Sequence, residues 1–239
     1  MASGLTAEML QRVSLFEGLS IHELTDVAAA LNLARVPPHT NLMAMEQPGN
    51  RVYVILTGTV KVFVDHVDGT EVILALLGPG DVVGEMSLVD NLTRSASVST
   101  LESSMLAWMD RASFWRELQS IPQLMANMVA MLSRRLRLAN TRLRANATLD
   151  VESRIALQIL ALAQEFGEED DDGQIRIPVR LSQNDLAALV SASRVRVNQV
   201  MVEYKRRGLI EVDRNLRITL LDEDGLEEQV GEDLLGIER

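Results

Sequence analysis

Residues 182–221 read SQNDLAALVSASRVRVNQVMVEYKRRGLIEVDRNLRITLL, and they decide the fold of the C-terminal third. Ser182-Gln183-Asn184-Asp185 has the form of a capping box, with a hydroxyl at the N-cap and an acid three positions on. Leu186, Ala187, Leu189 and Val190 give a short helix one apolar side. Ser191-Ala192 makes the turn, Ser193 caps a second helix reaching about Arg206, and Gly208 stands where a C-terminal glycine belongs. Residues 209–212 and 216–221 read as a hairpin turned at Asp213-Arg214-Asn215. Helix, tight turn, helix and β-wing predict a winged helix-turn-helix.

The second helix has two faces. Val197, Val200, Met201 and Tyr204 fall on the core side. Arg194, Val195, Asn198, Gln199 and Val202 fall on the other. An arginine can hold guanine through O6 and N7, and Asn or Gln can hold adenine through N6 and N7, when the N-terminal end of a helix enters the major groove. Gln183, Ser193 and Arg196 are placed for phosphates, where they orient the domain without specifying sequence. A charged helix face alone is as often a solvated one. Two caps, a short turn and a basic wing together point to duplex DNA, with Gln183, Ser193, Arg194, Arg196, Asn198 and Gln199 as its candidate contacts.

Working outward, residues 174–179 predict a strand, preceded by an acidic loop from Gly167 to Gly173. The helix before that loop begins at a hinge, Leu149-Asp150-Val151, with Asp150 as its cap. Residues 122–147 hold no Gly or Pro after Pro122. Met125, Val129, Leu132, Leu136, Ala139, Leu143 and Asn146 recur there at intervals of four and three. That a/d repeat predicts a two-helix seam, hence a homodimer, against the alternative of a helix packed on its own domain.

Further toward the N-terminus the period changes at Pro37-Pro38. Segments 51–57, 59–65, 71–77 and 95–101 are rich in Val, Ile and Thr and predict strands. Turn residues separate them every eight to twelve positions, as in a small sandwich or roll. Before Pro37, residues 6–34 are helical in period, broken at Gly18, with Ser20 and Glu23 in a capping box.

Among these strands lies Gly78-Pro79-Gly80-Asp81-Val82-Val83-Gly84-Glu85-Met86-Ser87-Leu88, followed by Arg94-Ser95-Ala96-Ser97. Taken alone, a Glu and an Arg nine apart are more often a surface salt bridge. Together the pieces suit a cyclic phosphate. Gly84 lets backbone N–H groups approach an anion, Glu85 can accept from a ribose hydroxyl, Arg94 is a permanently charged fork, and Ser95 adds a donor.

Composition narrows the classes. The 239 residues suffice for two modest domains. There is no cysteine, which excludes disulfides, thiolate zinc sites and cysteine-held iron–sulfur clusters. His22, His39 and His66 form no metal-ligand spacing, so no metal is expected. The net charge of −11 is segregated. From Arg176 to Arg217 there are nine bases and four acids, and from Asp222 to Arg239 eight acids and one base. A basic patch, not the global sum, governs DNA contact. No apolar run is long enough for a membrane span, and the N-terminus has no secretory pattern, so a cytoplasmic protein without membrane contact is expected. No nucleophile elbow, P-loop or dinucleotide fingerprint is present, and the chain does not read as an enzyme.

From about Leu10 to Leu221 the chain resembles the cyclic-AMP receptor protein and fumarate-nitrate regulator family of bacterial transcription factors. The likeness rests on Leu15-Phe16-Glu17-Gly18-Leu19, Pro48-Gly49, YVILTGTV from Tyr53 to Val60, Gly84-Glu85-Met86-Ser87-Leu88 with Arg94-Ser95-Ala96, Leu132-Ser133-Arg134-Arg135-Leu136, and Gln183 to Arg194. It implies an α+β chain: a ligand-sensing cyclic-nucleotide-type β-roll with N-terminal helices (1–121), a dimerisation helix and hinge (122–149), a winged helix-turn-helix (150–221) and an acidic tail (222–239). It implies a dimer on a palindromic operator, RNA polymerase as a partner, and no obligatory cofactor. The implied effector is cyclic AMP or another nucleotide, held by Gly84, Glu85, Met86, Ser87, Arg94, Ser95 and Ala96. Members that bind cyclic AMP offer the base a Thr followed by Ser or Asn from the long helix, across the dimer. The matching pair here is Ala139-Asn140, which leaves Asn140 without the Thr hydroxyl. Many members have Ser-Arg-Glu at the recognition helix where this chain has Ser193-Arg194-Val195. Valine cannot accept from cytosine N4, so the usual half-site is not expected.

Beyond the resemblance, Leu226, Val230, Leu234 and Ile237 form one stripe of a short amphipathic helix in the acidic tail. Either the tail is solvated, or the stripe docks on its own protein while the acids repel DNA phosphate.

Overall fold

The computed structural model describes residues 4–65, 70–170 and 173–231. Of these, residues 4–65 and 73–137 form one compact unit, and residues 70–72 belong with 138–170 and 173–231 to the other.

The first unit opens with α1 (Ala7–Leu10), a 3-10 turn (Ser14–Phe16) and α2 (Ile21–Ala30). The capping box of α2 is made: Glu23 N–H donates to the Ser20 hydroxyl at 3.3 Å, and Ser20 N–H donates to the Glu23 carboxylate at 2.7 Å. The strands are β1 (Asn32–Val36), β2 (Asn41–Met43), β3 (Arg51–Thr57), β4 (Val60–Asp65), β5 (Glu71–Leu77), β6 (Val82–Val83), β7 (Ser97–Thr100) and β8 (Ser104–Asp110), with the one-turn helix α3 (Met86–Val89) after β6. They make two four-stranded sheets, ordered β1-β8-β3-β6 and β2-β7-β4-β5. Tyr53 lies opposite Trp108 in the first and Val62 opposite Val98 in the second. Ile55, Val60, Val98 and Leu106 are buried in one apolar cluster between them.

The sequence predicts only four of these eight strands. β6 is too short to show a period. β1 and β2 flank the Pro37-Pro38 break, and β8 (SMLAWMD) contains no β-branched residue, so pairing with β1 and β3 makes it a strand where propensity does not.

α4 (Arg111–Ser120) and α5 (Pro122–Thr148) follow. Ile121, Leu124, Met128 and Met131 join the cluster formed by the N-terminal helices and the first sheet. Asn127 Nδ2 donates to the carbonyls of Leu15 and Glu17, pinning α5 to the 3-10 turn. Of the residues of the expected seam, Leu132 packs against this cluster and the others do not join it. Met125, Val129, Leu136, Ala139 and Leu143 are exposed and Leu132 is half-buried.

The second unit contains the end of α5, then α6 (Val151–Phe166), β9 (Glu168–Glu169), β10 (Ile175–Ile177), α7 (Gln183–Val190), α8 (Arg194–Arg206), β11 (Ile210–Val212), β12 (Ile218–Leu220) and α9 (Glu223–Val230). Its sheet is ordered β11-β12-β10-β9. Asp150, Ser182 and Ser193 cap their helices as expected. Ser191 takes φ +52° at the end of α7, so the turn into α8 is made by a left-handed residue that is not glycine. Ile155, Ile159, Leu186, Val197, Val200 and Ile218 are buried. Tyr204 is fully buried, its hydroxyl donates to the Glu152 carbonyl at 2.9 Å, and burial pushes the phenol pKa up.

The acidic tail expected from Asp222 begins instead as part of this unit. α9 lies against α6 with Leu226 and Val230 buried. Leu234 and Ile237 lie outside the described residues.

Candidate ligand pocket and nucleic-acid interface

The candidate ligand site centres on Arg94, which stands in the segment before β7 and is 7% exposed. Its Nη1 donates to the Gly84 carbonyl and to the Ser87 hydroxyl, both at 2.7 Å, and Nη2 donates to the Arg51 carbonyl at 2.7 Å. All three acceptors are neutral. Nε and the second Nη2 hydrogen have no partner among the described residues. Burial pushes the guanidinium below its ordinary pKa, and Arg111 pushes the same way. The Tyr53 side chain and the Glu85 carboxylate act against them.

Two glycines make room for this group. A Cβ on Gly84 would lie 2.8 Å from Arg94 Nη1 and 2.6 Å from Met43 Cε, and Gly84 takes φ +90°. A Cβ on Gly49 would lie 2.9 Å from Arg94 Cζ and 2.1 Å from Ser87 Oγ. The expectation for Gly84 was room for an anion at its backbone. In the structure that room holds the arginine, and the Gly84 carbonyl is one of its acceptors.

Glu85 is buried, and its Oε1 accepts from Arg135 Nη1 at 2.6 Å. Arg135 reaches from α5 and also donates to the Val82 carbonyl. Asp81 is near the same cation. Burial raises its carboxyl pKa, while the Gly78 N–H and the charges of Arg135 and Arg134 lower it. Arg111 donates to the carbonyls of Gly49 and Ser87, and Arg51 stacks over Trp108 at 4.0 Å.

The structure therefore gathers Gly84, Glu85, Ser87 and Arg94. Ser87 is buried, and its hydroxyl accepts from Arg94. Ser95 and Met86 are exposed, with Ser95 Oγ 3.8 Å from Met86 Sδ, and Ala96 is buried. Asn140 is exposed on α5. Sequence reasoning assigned no role to Gly49, Arg51, Arg111 or Arg135. The Arg134-Arg135 pair stood inside a family-like motif, but nothing in the chain order says that its second member reaches back fifty residues to Glu85.

In the second unit, Ser193 caps α8 by accepting from Arg196 N–H at 3.3 Å. Gln183 Nε2 donates to Asn198 Oδ1 at 2.6 Å, tying the start of α7 to α8. Arg196 stands 3.9 Å from Glu152 at the start of α6. Arg194 and Gln199 are exposed, and Arg194 makes no hydrogen bond or ion pair among the described residues. At the wing turn, Asp213 accepts from the N–H groups of Asn215 and Arg217 and pairs with Arg176 at 2.7 Å. The Arg217 N–H leads the causes that hold its carboxyl pKa low. Among the described residues no cluster of acids and histidines could hold a metal ion, and no helix is long and apolar enough to cross a membrane.

Comparison with known proteins follows the same division. Residues 33–120 match the cyclic nucleotide-binding domain family, and residues 153–229 match the Crp-like helix-turn-helix domain family. The second match includes most of α9. The chain is 32% identical over 206 residues to a CRP-like cAMP-activated global transcriptional regulator of Mycobacterium tuberculosis, covering 86% of this chain and 92% of that one. It is 30% identical over 199 residues to the cyclic AMP receptor protein of Thermus thermophilus, covering 83% and 88%. Its fold is similar to that of CLP from Xanthomonas campestris, described as a c-di-GMP responsive global regulator, with a TM-score of 0.70 at 24% identity over 84% of this chain and 99% of that one.

Proposed function

This chain belongs to the CRP/FNR family of transcription regulators, and from that premise we propose that it works as a homodimer that senses an anionic nucleotide and reads a palindromic operator. Cyclic AMP or a related nucleotide is the effector, α8 is the reading helix, and the exposed apolar stripe of α5 is the dimer seam. It acts in the cytoplasm by binding, with RNA polymerase as its downstream partner, and not by catalysis.

One observation carries the nucleotide reading. Among the described residues the buried Arg94 guanidinium donates to neutral acceptors alone, and a buried cation that no anion meets directly is costly. The nearby carboxylate, Glu85, is already paired with Arg135. A phosphate at the two free N–H groups of Arg94 supplies the missing charge in a forked geometry, with the exposed Ser95 hydroxyl as a further donor. The effector is kept at the level of a nucleotide for two reasons. Ala139 lacks the hydroxyl that cyclic-AMP binders of the family place there. The relatives themselves differ, one being named for cAMP and another for c-di-GMP.

Calorimetric titration of the full-length protein with cyclic AMP, cyclic GMP and cyclic di-GMP tests this. One of them is expected to bind, and Arg94→Ala to weaken it by about 2–4 kcal/mol. Unchanged affinity in that variant, or no binding of any of the three, overturns the pocket assignment.

A further inference from the structure

α8 has an outward line that holds two exposed valines. At 3.6 residues per turn, Val195, Gln199, Val202 and Arg206 fall on one side, directly opposite the buried Val197, Val200, Met201 and Tyr204. Two of the four outward residues are valines, 69% and 52% exposed. Valine is a poor choice for a solvated helix face. It loses rotamer freedom against the preceding turn and gains no packing in return. Arg194 and Asn198 flank this line on one side and Arg196 on the other, so it is the crest of the surface offered to DNA.

The two valines are not equivalent. Val195 is the second residue of α8, two positions after the cap Ser193, at the end of a recognition helix that reaches base edges. Val202 is seven residues on, about 10 Å along the axis, too far to share a base pair with it. The main apolar feature on the floor of the major groove is a methyl group at C5 of a pyrimidine. Val195 can bury such a methyl and has no acceptor for the cytosine N4 amine.

We infer that Val195 selects a pyrimidine carrying a C5 methyl at one position of each half-site: thymine in ordinary DNA, 5-methylcytosine in methylated DNA. The inference rests on the reading of α8 as the DNA-contacting helix. It replaces a hydrogen-bond choice at that base pair by a shape and methyl choice, and leaves Arg194 and Gln199 to read its neighbours.

The test starts from duplexes selected out of a random-sequence library by the full-length protein, with and without cyclic AMP. Each thymine of one half-site is then replaced by deoxyuridine, which removes the methyl and nothing else. At one position the wild-type protein is expected to lose about fourfold in affinity, the worth of one buried methyl group. Val195→Ala is expected to bind thymine and uracil there equally. At the same position 5-methylcytosine is expected to bind wild-type protein more tightly than cytosine. Circular dichroism serves as the control for folding, and because Val195 is exposed and alanine is the better helix former, the variant should keep its helix content. A library that yields no motif overturns the DNA reading of α8, and this inference with it. A clear motif in which no thymine methyl matters, or in which Val195→Ala keeps the same preference, overturns the inference alone.

Discussion

The carboxylate of Glu85 and the guanidinium of Arg135 meet at 2.6 Å, Glu85 coming from the turn after β6 and Arg135 from α5. The pair joins the residue best placed for a ribose to the helix proposed as the dimer seam. Removing Arg135 leaves a buried carboxylate without its cation. Breaking a fully buried pair costs about 3–5 kcal/mol, and the Arg135 side chain is 29% exposed, so Arg135→Ala should lose about 2 kcal/mol. Urea unfolding measures it. Glu85→Gln combined with Arg135→Met should recover part of the loss, because neither side then holds an unpaired charge. A single variant as stable as the parent would show that the contact contributes nothing.

Leu136 and Leu143 are 63% and 69% exposed in the single chain, two turns apart on the same face of α5. Leu136→Arg places a charge at an a/d position of the proposed seam and should leave the protein monomeric. Light scattering at micromolar concentration decides this. A full-mass dimer in the variant would move the interface elsewhere.

Arg194 stands at the start of α8 and has no hydrogen bond or ion pair among the described residues, whereas Arg196 stands on the other flank, 3.9 Å from Glu152. Arg194→Ala should cost about 1–3 kcal/mol on the selected operator and relax preference at one base pair per half-site. Arg196→Ala should weaken all sequences alike and lower the slope of log affinity against log salt by about one per subunit. Finding these two patterns exchanged would reverse the base and phosphate assignments.

Asp150 caps α6 by accepting from Ser153 N–H at 2.8 Å, and that bond, with the nearby Arg196 charge, holds its carboxyl pKa below the ordinary value. A carboxyl lowered in the folded state contributes stability that is present above its unfolded pKa, about 4, and is lost as pH falls through the lower folded value. Asp150→Ala should therefore cost about 1 kcal/mol at neutral pH. Its deficit should shrink as denaturation midpoints are followed from about pH 5 to pH 3. A deficit independent of pH would mean that the charge plays no part in the cap.

What the sequence displayed and what it hid separate along physical lines. The caps at Ser20, Asp150, Ser182 and Ser193 are local, formed by residues three apart, and were legible one by one. The Gly84-Glu85 and Arg94-Ser95 pieces were legible as chemistry. Their mutual geometry was not, because it depends on Gly49, Arg51 and Arg135, which only the sheet pairing and α5 bring near. β8 was hidden because its neighbours, not its composition, make it a strand. Leu226 and Val230 showed a helical stripe without showing the surface that receives it.

That surface alters the experiment for the C-terminal segment. Cutting the chain after Leu221 removes α9, and with it Leu226 and Val230, both buried. The fit is close: a Cβ on Gly225 would stand 2.7 Å from Leu209 Cδ2, and Arg207 donates to Gln229 at 3.0 Å. Losing two buried aliphatic side chains should cost about 3–5 kcal/mol, so such a truncation reports on stability before it reports on DNA. The charge question needs a variant that keeps α9 folded. Glu223, Asp224 and Glu228 are exposed on it, and replacing them with Gln, Asn and Gln removes three negative charges per subunit while Leu226 and Val230 stay in place. If the acids repel phosphate, this variant should bind random-sequence DNA more tightly than the parent at low salt. The gap should close near physiological salt, where the screening length falls to about 8 Å. Fluorescence anisotropy across a salt series follows both limits, and equal low-salt affinities would leave α9 as a packing element alone.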